Sequence, residues 1–120
     1  MAGLQTPVVF IPRFTTFVGP FVYHGLPIDV TAFSDAVLAV WCGPLVGSPP
    51  PAPTFSVQFQ QSLDRVTWES IGSAVPPPSN TETPILFVIT QPWLRYEVTV
   101  TGPNSGVTCW LQGFLIRRER

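Results

Sequence analysis

Charged residues are scarce in this sequence, and lysine is absent. Only 11% of the 120 residues are Asp, Glu, Lys or Arg, against roughly 25% in a typical soluble domain. A free monomer stays soluble by presenting solvated charges and only small apolar patches. Because the mean hydropathy is +0.30, we expect other subunits to cover much of the surface. A slightly apolar monomer with neutral polar loops is the alternative.

Long apolar runs and a strong charge imbalance are also missing. No run approaches the ~18–20 apolar residues that a spanning helix needs. The first residues lack the basic start and apolar stretch of a secretion signal. The net charge is −1, which provides no field of one sign to attract DNA or RNA. We therefore expect neither a membrane nor a nucleic-acid partner.

Residues that carry chemistry are few. His24 is the sole histidine, so a metal site built of several histidines is impossible. The sequence contains no GxSxG, no P-loop and no GxGxxG, and its carboxylates form no motif. We expect no enzymatic activity, no catalytic residue, no metal and no cofactor.

The two cysteines, Cys42 and Cys109, have no spacing that indicates a metal site. Both fall in predicted strands with apolar neighbours. Without a secretion signal, buried free thiols are the expectation, although one disulfide between them stays open.

Alternating polarity is the clearest structural signal. Residues 54–61 and 93–101 alternate apolar and polar side chains, as half-buried strands do. Shorter strands are predicted at 66–71, 85–90 and 107–116, and residues 31–42 read as a helix or, from 36 onward, as a strand. The run 85–90 is continuously apolar, which predicts a strand covered on both faces. We predict an all-β fold, an antiparallel β-sandwich of about six to eight short strands. Six of them fall in the sandwich domain at residues 31–120, and residues 7–11 and 28–31 could add one or two more.

Proline-rich connections form a first candidate contact surface. If the strands run up and down, the connections 43–53, 73–84 and 102–106 share one end of the sandwich. Polyproline segments are pre-ordered and lose little entropy on binding, although they also serve simply as stiff loops. The candidate residues are Pro49, Pro50, Pro51, Pro76, Pro77 and Pro78.

The first 30 residues and the last four differ from the rest. Prolines five to eight residues apart break helices and strand ladders, so residues 1–30 are predicted to form an extended arm. The arm would lie across a neighbouring subunit or fold back over its own sandwich. The arginine tail would dock on an acidic neighbour or remain solvated. The candidate contact residues are Phe10, Phe14, Phe17, Phe21 and Tyr23 in the arm, and Arg117, Arg118 and Arg120 in the tail.

Four tryptophans, Trp41, Trp68, Trp93 and Trp110, fall in or beside predicted strands. Core packing is the commoner role for such residues. Sugar-binding sandwiches use exposed aromatic rings, and Trp93, which follows a proline at the start of a strand, is the best candidate for exposure.

Two stretches carry a resemblance to a known class. Residues 60–72 (QQSLDRVTWESIG) and 91–102 (QPWLRYEVTVTG) resemble small β-sandwich proteins of tailed-phage virions, in particular capsid decoration (cement) proteins. The resemblance covers roughly the second half of the chain, and the residue after Asp64 is Arg65 where glycine is more usual.

The resemblance implies a virion structural protein, assembled in the host cytoplasm, that binds the outer capsid shell and bridges neighbouring capsomers. Its implied partners are the major capsid protein or other virion subunits and further copies of itself, as a trimer or dimer. A head–tail or tail component and a carbohydrate- or surface-binding module are the alternatives.

Overall fold

The computed structural model describes residues 4–48 and 52–118, and nine β-strands account for most of them. No helix occurs within these two ranges. The strands are β1 (Gln5–Val18), β2 (Phe21–His24), β3 (Ile28–Asp29), β4 (Phe33–Cys42), β5 (Thr54–Ser62), β6 (Glu69–Val75), β7 (Thr81–Val88), β8 (Trp93–Thr101) and β9 (Gly106–Arg117).

The strands form two antiparallel sheets that pack into a sandwich. Sheet A has the order β1-β9-β4-β7, and sheet B has the order β2-β8-β5-β6, with β3 also paired to β8. The core lies between the sheets and contains apolar side chains from both of them. The predicted all-β sandwich is therefore confirmed.

Alternating sequence positions produce the core face of sheet B. Phe55, Val57 and Phe59 of β5 are each at most 3% exposed. Leu94 and Val98 of β8 are fully buried beside them. The intervening polar residues of both strands face away from the core, so the predicted inward and outward faces of residues 54–61 and 93–101 are confirmed.

Residues 31–42 form a strand and not a helix. Strand β4 pairs with β7 on one side and with β9 on the other. Ala36, Leu38, Val40 and Cys42 are buried while the residues between them are not, which is the two-residue period of a strand. Tertiary pairing on both sides decided between two readings that the sequence left open.

The hairpin between β5 and β6 is present, but its second strand begins at Glu69 and not at residue 66. Side chains in the loop explain why β6 begins later than predicted. The Asp64 carboxylate accepts hydrogen bonds from the Val66 and Thr67 amides at 2.9 and 3.0 Å, and the Ser62 hydroxyl accepts one from Arg65 N at 2.8 Å. These bonds satisfy the backbone locally, so it does not join the ladder. The hydrogen bonds from the Thr67 and Val66 amides also hold the pKa of Asp64 below its usual value.

The first 30 residues contribute strands to both sheets, which differs from the predicted extended arm. Strand β1 pairs antiparallel with β9 from Gln5 to Val18, and β2 and β3 pair with β8. The prolines do not prevent this pairing because β1 is an edge strand with two register shifts, where a missing amide is tolerated. The segment thus lies over its own sandwich, the alternative that the sequence left open.

The run 85–90 is covered on one face only, contrary to the prediction. Ile85 and Ile89 are buried in the core, whereas Leu86 and Val88 on the opposite face are 66% and 60% exposed. The physical reason is that β7 belongs to sheet A, and no layer formed by residues 4–48 and 52–118 packs on the outer side of that sheet.

The predicted clustering of three connections at one end is confirmed. The Ser48 amide donates to Pro103 O at 2.8 Å, and the Asn80 amide donates to Cys42 O at 2.7 Å. These bonds join the loops that follow β4, β6 and β8. Pro49, Pro50 and Pro51 lie outside the described residues.

Candidate interaction surface

Three of the five predicted aromatic contact residues pack inside the sandwich. The Phe10 ring meets Phe59 edge-on with 5.3 Å between centroids. Phe17 is 8% exposed and its ring lies 4.9 Å from that of Tyr23. Burial in this chain's own core occupies these rings, so they are not a free surface for another subunit.

The other two aromatic residues are exposed. Phe21 is 60% exposed and its ring lies 4.8 Å from that of Tyr23. Phe14 is 80% exposed and has a φ of 64°, a left-handed conformation that is unusual for an aromatic residue. A side chain held in the solvent at this conformational cost is a candidate contact.

The remaining predicted contact residues are spread over the molecule. Pro76 and Pro78 are exposed, but Pro77 is buried and its carbonyl lies 3.6 Å from Cys42 Sγ. Arg117 and Arg118 are exposed at the end of β9, and an Arg118 guanidinium nitrogen donates to Phe33 O at 3.0 Å. Arg120 lies outside the described residues.

The outer side of sheet A is an apolar surface that the sequence reading did not identify. Its central row crosses all four strands, because Pro7 pairs with Phe114, Phe114 with Val37, and Val37 with Leu86. The next row brings together Val9, Gln112, Ala39 and Pro84. We call this surface the apolar face; it consists of Pro7, Val9, Val37, Ala39, Pro84, Leu86, Val88, Phe114 and Ile116.

The apolar face has Arg13 and Glu82 at one end, since Trp41 pairs with both Trp110 and Glu82, and Asp35 at the other. Arg13 lies 4.9 Å above the Trp110 ring, which belongs to the outward side of β9. Asp35 pairs with Ile116 and Val88 at the opposite end. Within 4–48 and 52–118 the one ion pair is His24–Glu97, so neither Arg13 nor Asp35 has an ionic partner there.

Arg13 and Phe14 belong to a bulge in β1. Ile11 pairs with Leu111 and Thr15 with Cys109, so residues 12–14 stand opposite the single residue Trp110. The Thr15 hydroxyl donates to Pro12 O at 2.6 Å and closes the bulge. The bulge leaves the Phe14 side chain 80% exposed.

A shallow hollow of about 360 Å³ lies at the Asp35 end of the apolar face. It is lined mainly by apolar side chains, among them Val37, Leu86, Val88 and Ile116, with Asp35 at its margin. Pockets with such linings bind apolar groups and use their few polar atoms for orientation.

The outer side of sheet B is polar and its side chains are already paired. Arg95 Nε donates to Gln60 Oε1 at 2.8 Å, and His24 Nε2 lies 2.9 Å from Glu97 Oε2. The two sides of the sandwich therefore differ: one presents satisfied polar groups and the other presents uncovered apolar ones.

Trp93, the best candidate for a sugar-binding ring, and Trp68 are both half-buried, and each lies beneath an arginine. The Arg95 guanidinium is 4.2 Å from the Trp68 ring centre, and that of Arg65 is 4.5 Å from the Trp93 ring centre. A guanidinium occupies the ring face that a sugar would stack on.

The sheet edges carry features that hinder strand addition. Strand β7 contains Pro84 and β1 contains Pro7 and Pro12, while β6 has a register shift near Gly72. Strand β2 has only four residues. Proline, bulges and short strands protect sheet edges from pairing with other chains, so the faces are the better candidates for assembly.

Chemically reactive arrangements do not stand out. Among the described residues, no three His, Cys, Asp or Glu side chains are grouped to hold a metal ion. That same part of the chain contains no helix long and apolar enough to cross a membrane. Cys42 and Cys109 are free and buried.

The sequence signal for the apolar face was a difference in composition between the strands of the two sheets. Strands β5 and β8 alternate, but β4, β7 and β9 carry apolar residues at successive positions. In most folds, strands of this composition are covered on both faces. The arrangement of β1, β9, β4 and β7 in one sheet could not be read from this signal, because it depends on pairing between distant segments.

The fold and this surface define a two-sheet antiparallel β-sandwich with one polar and one apolar outer side. The chain is similar to a chain in the solved structure of infectious bursal disease virus, Gx strain, with a TM-score of 0.54 and 11% sequence identity. The match covers 95% of this chain and 32% of that one, so the present chain spans about a third of its length. At this identity the likeness concerns the fold. No protein-family model and no curated protein matches the sequence.

Proposed function

We propose that this chain is a non-enzymatic virion structural protein and, within that class, a decoration protein that binds the outer capsid shell and bridges neighbouring capsomers. The observation that carries the proposal is the apolar face. Leu86 and Val88 are mostly exposed in the single chain, although three strands of sheet A have the composition of strands covered on both sides. A neighbouring subunit would supply the missing cover.

The fold and the charge content support the same proposal. The structurally similar chain comes from a virus, and its fold is shared over nearly the whole of this chain. Only 13 of 120 residues are formally charged, counting six basic and seven acidic ones. A surface with so few solvated charges is suited to contact with protein.

The proposed mechanism is stabilisation by binding. A protein that binds only the mature shell lowers the free energy of that state by an amount set by its concentration and affinity. Bridging adds to this effect, because two linked contacts raise the effective concentration of each other. A sugar-binding role receives no support from Trp68 and Trp93, since arginines lie over both rings.

The test is binding of the purified full chain to capsid shells of the virus that encodes it, prepared without this protein. A decoration protein adds to these finished shells, sediments with them and raises the temperature at which they release DNA. Leu86→Asp is expected to abolish binding, whereas Ser70→Asp, an exposed position in sheet B, leaves it intact. If the chain stays unbound and appears only in particles assembled in its presence, it is an internal or head–tail component. If it is absent from particles altogether, the virion role is wrong.

A further inference from the structure

We propose that Cys42 and Cys109 form a redox modification site, in which the two thiols of the reduced chain are oxidised to one disulfide that links β4 to β9. The oxidant is a small-molecule disulfide such as oxidised glutathione. Both cysteines are free thiols in the structure. The inference goes beyond the proposed function, because it concerns a modification within one chain and uses the core side of sheet A, not the apolar face.

The register of sheet A makes the two thiols direct neighbours. Cys42 pairs with Cys109, and both side chains are fully buried on the core side. Opposite residues of an antiparallel ladder alternate between two kinds of pair. Hydrogen-bonded pairs have Cα atoms about 5.5 Å apart, and non-hydrogen-bonded pairs have them about 4.5 Å apart, with their side chains closer together. The kind of pair therefore decides how near the two sulfur atoms come.

Two backbone hydrogen bonds show that the pair is of the closer kind. Gly43 N donates to Thr108 O at 2.8 Å, so the hydrogen-bonded pair is the next one along the ladder. Asn80 N donates to Cys42 O at 2.7 Å, so the Cys42 carbonyl points toward the start of β7 and away from β9. A disulfide needs Cα atoms roughly 4.4–6.8 Å apart. A spacing of about 4.5 Å lies within that range and permits the bond without a shift of the strands.

The loop after β6 covers the site. Cys42 ends β4, and its Sγ lies 3.6 Å from Pro77 O and 3.8 Å from Pro78 O. Pro77 is buried, whereas Pro76 and Pro78 on either side of it are exposed. A thiol must ionise to react, and burial raises the pKa of both cysteines. Oxidation therefore requires this loop to open, which exposes Cys42, the cysteine that contacts it.

The oxidation proceeds by two thiol–disulfide exchanges that balance. When the loop opens, Cys42 loses its proton to solvent, and its thiolate attacks one sulfur of oxidised glutathione and displaces a glutathione thiolate. Cys109 then loses its proton, attacks Sγ of Cys42 and displaces the second glutathione thiolate. The two protein thiols together lose two electrons, the oxidant gains them, and the two released thiolates take up the two protons as glutathione thiols.

The disulfide would join strands that are distant in the sequence. Cys42 and Cys109 enclose β5, β6, β7 and β8. Cross-links that close long loops stabilise most, because they remove the most conformational freedom from the unfolded chain. We expect the melting temperature of the oxidised chain to exceed that of the reduced chain by about 10 °C.

The test follows oxidation of the full chain by mass spectrometry. The chain is incubated with oxidised glutathione, alkylated, and cleaved after arginine, which places Cys42 in the fragment 14–65 and Cys109 in the fragment 96–117. We expect the intact monomer to lose two hydrogen atoms and the two fragments to be recovered as one linked pair. The Cys109→Ala variant should stop with glutathione bound to Cys42, because no second thiol displaces it.

The role of the loop is tested by the rate of oxidation. Pro77→Gly should speed disulfide formation severalfold, because glycine loosens the segment that covers Cys42. Pro27→Gly changes an exposed proline between β2 and β3 and should leave the rate unchanged. Circular dichroism on each variant reports whether it is folded. Equal rates in the two variants would show that the loop does not control access to the thiols.

Three results would overturn the inference. Both thiols could remain reduced after prolonged incubation, or the disulfides could link different chains and not the two cysteines of one chain. An oxidised chain that melts below the reduced one would show that the pair does not accommodate the bond. If the disulfide forms but the chain fails to bind capsid shells, the proposed function is wrong and the redox site stands.

Discussion

Cys42 and Cys109 lie directly opposite each other on β4 and β9, and both side chains are fully buried. Burial, with a smaller contribution from Cys42, raises the pKa of the Cys109 thiol to about 12, and burial also raises the pKa of Cys42. Both residues therefore remain neutral thiols in the folded protein at neutral pH.

The thiol pair predicts a loss of stability in alkaline solution. A thiol in the unfolded chain ionises near 9, whereas folded Cys109 stays neutral until about pH 12. Above pH 9 the unfolded state is favoured by ionisation, so the free energy of unfolding should fall by up to about 1.4 kcal/mol per pH unit. Urea unfolding between pH 7 and 11 measures the slope. In the Cys109→Ala variant the free energy of unfolding should fall less steeply with pH. An equal slope would show that other groups cause the loss of stability.

Neighbouring residues of β4 should differ sharply in their effect on stability. Leu38 is 3% exposed in the core, and Val37 is 40% exposed on the apolar face. Leu38→Ala should cost about 2–5 kcal/mol, while Val37→Ala should remain within about 0.5 kcal/mol. Urea denaturation of dilute protein measures both. A large loss of stability in Val37→Ala would show that the apolar face contributes to the stability of the single chain.

The left-handed conformation of Phe14 predicts a stabilising substitution. A left-handed L-residue costs about 1–2 kcal/mol, and asparagine adopts this region more readily. Phe14→Asn should therefore raise the free energy of unfolding by about 1 kcal/mol. Phe21→Asn is the control, since Phe21 is also exposed but has no positive φ. Equal effects of the two variants would show that relief of the backbone conformation is not the cause.

Removal of β1 should prevent cooperative folding. The strand pairs along β9 and supplies Ile11 and Phe17, which are 1% and 8% exposed in the core. A chain starting at residue 19 loses these contacts and exposes the β9 edge. Thermal unfolding followed by circular dichroism should show no sharp transition, whereas a chain lacking only residues 1–3 should unfold like the full chain. A sharp transition in the longer deletion would restore the view of this segment as a separable arm.

Local patterns predicted the regular strands well. The alternation in 93–101 placed β8 at its observed bounds, and the turn residues at 102–106 separated it from β9. Prediction failed where side chains or pairing changed the local preference. Asp64 and Ser62 satisfy the backbone of the loop before β6, and an edge position allowed a proline-containing segment to become β1.

The candidate surface was predictable in composition but not in place. Phe14 was identified from its aromatic character, yet Phe10 and Phe17 of the same segment belong to the core. The excess of apolar residues in β4, β7 and β9 indicated cover on two sides. Which side is left uncovered depends on the order of strands in sheet A.

The sequence by itself determined the all-β class, the alternating strands of sheet B and a surface poor in charge, because these depend on residue type and a period of two. The tertiary structure decided that the N-terminal segment joins the sandwich, that the apolar face stays uncovered, and that Arg13 and Asp35 lie on the same side of sheet A. The reason is that β1, β9, β4 and β7 come from distant parts of the chain, and only their hydrogen-bonded register brings those side chains together.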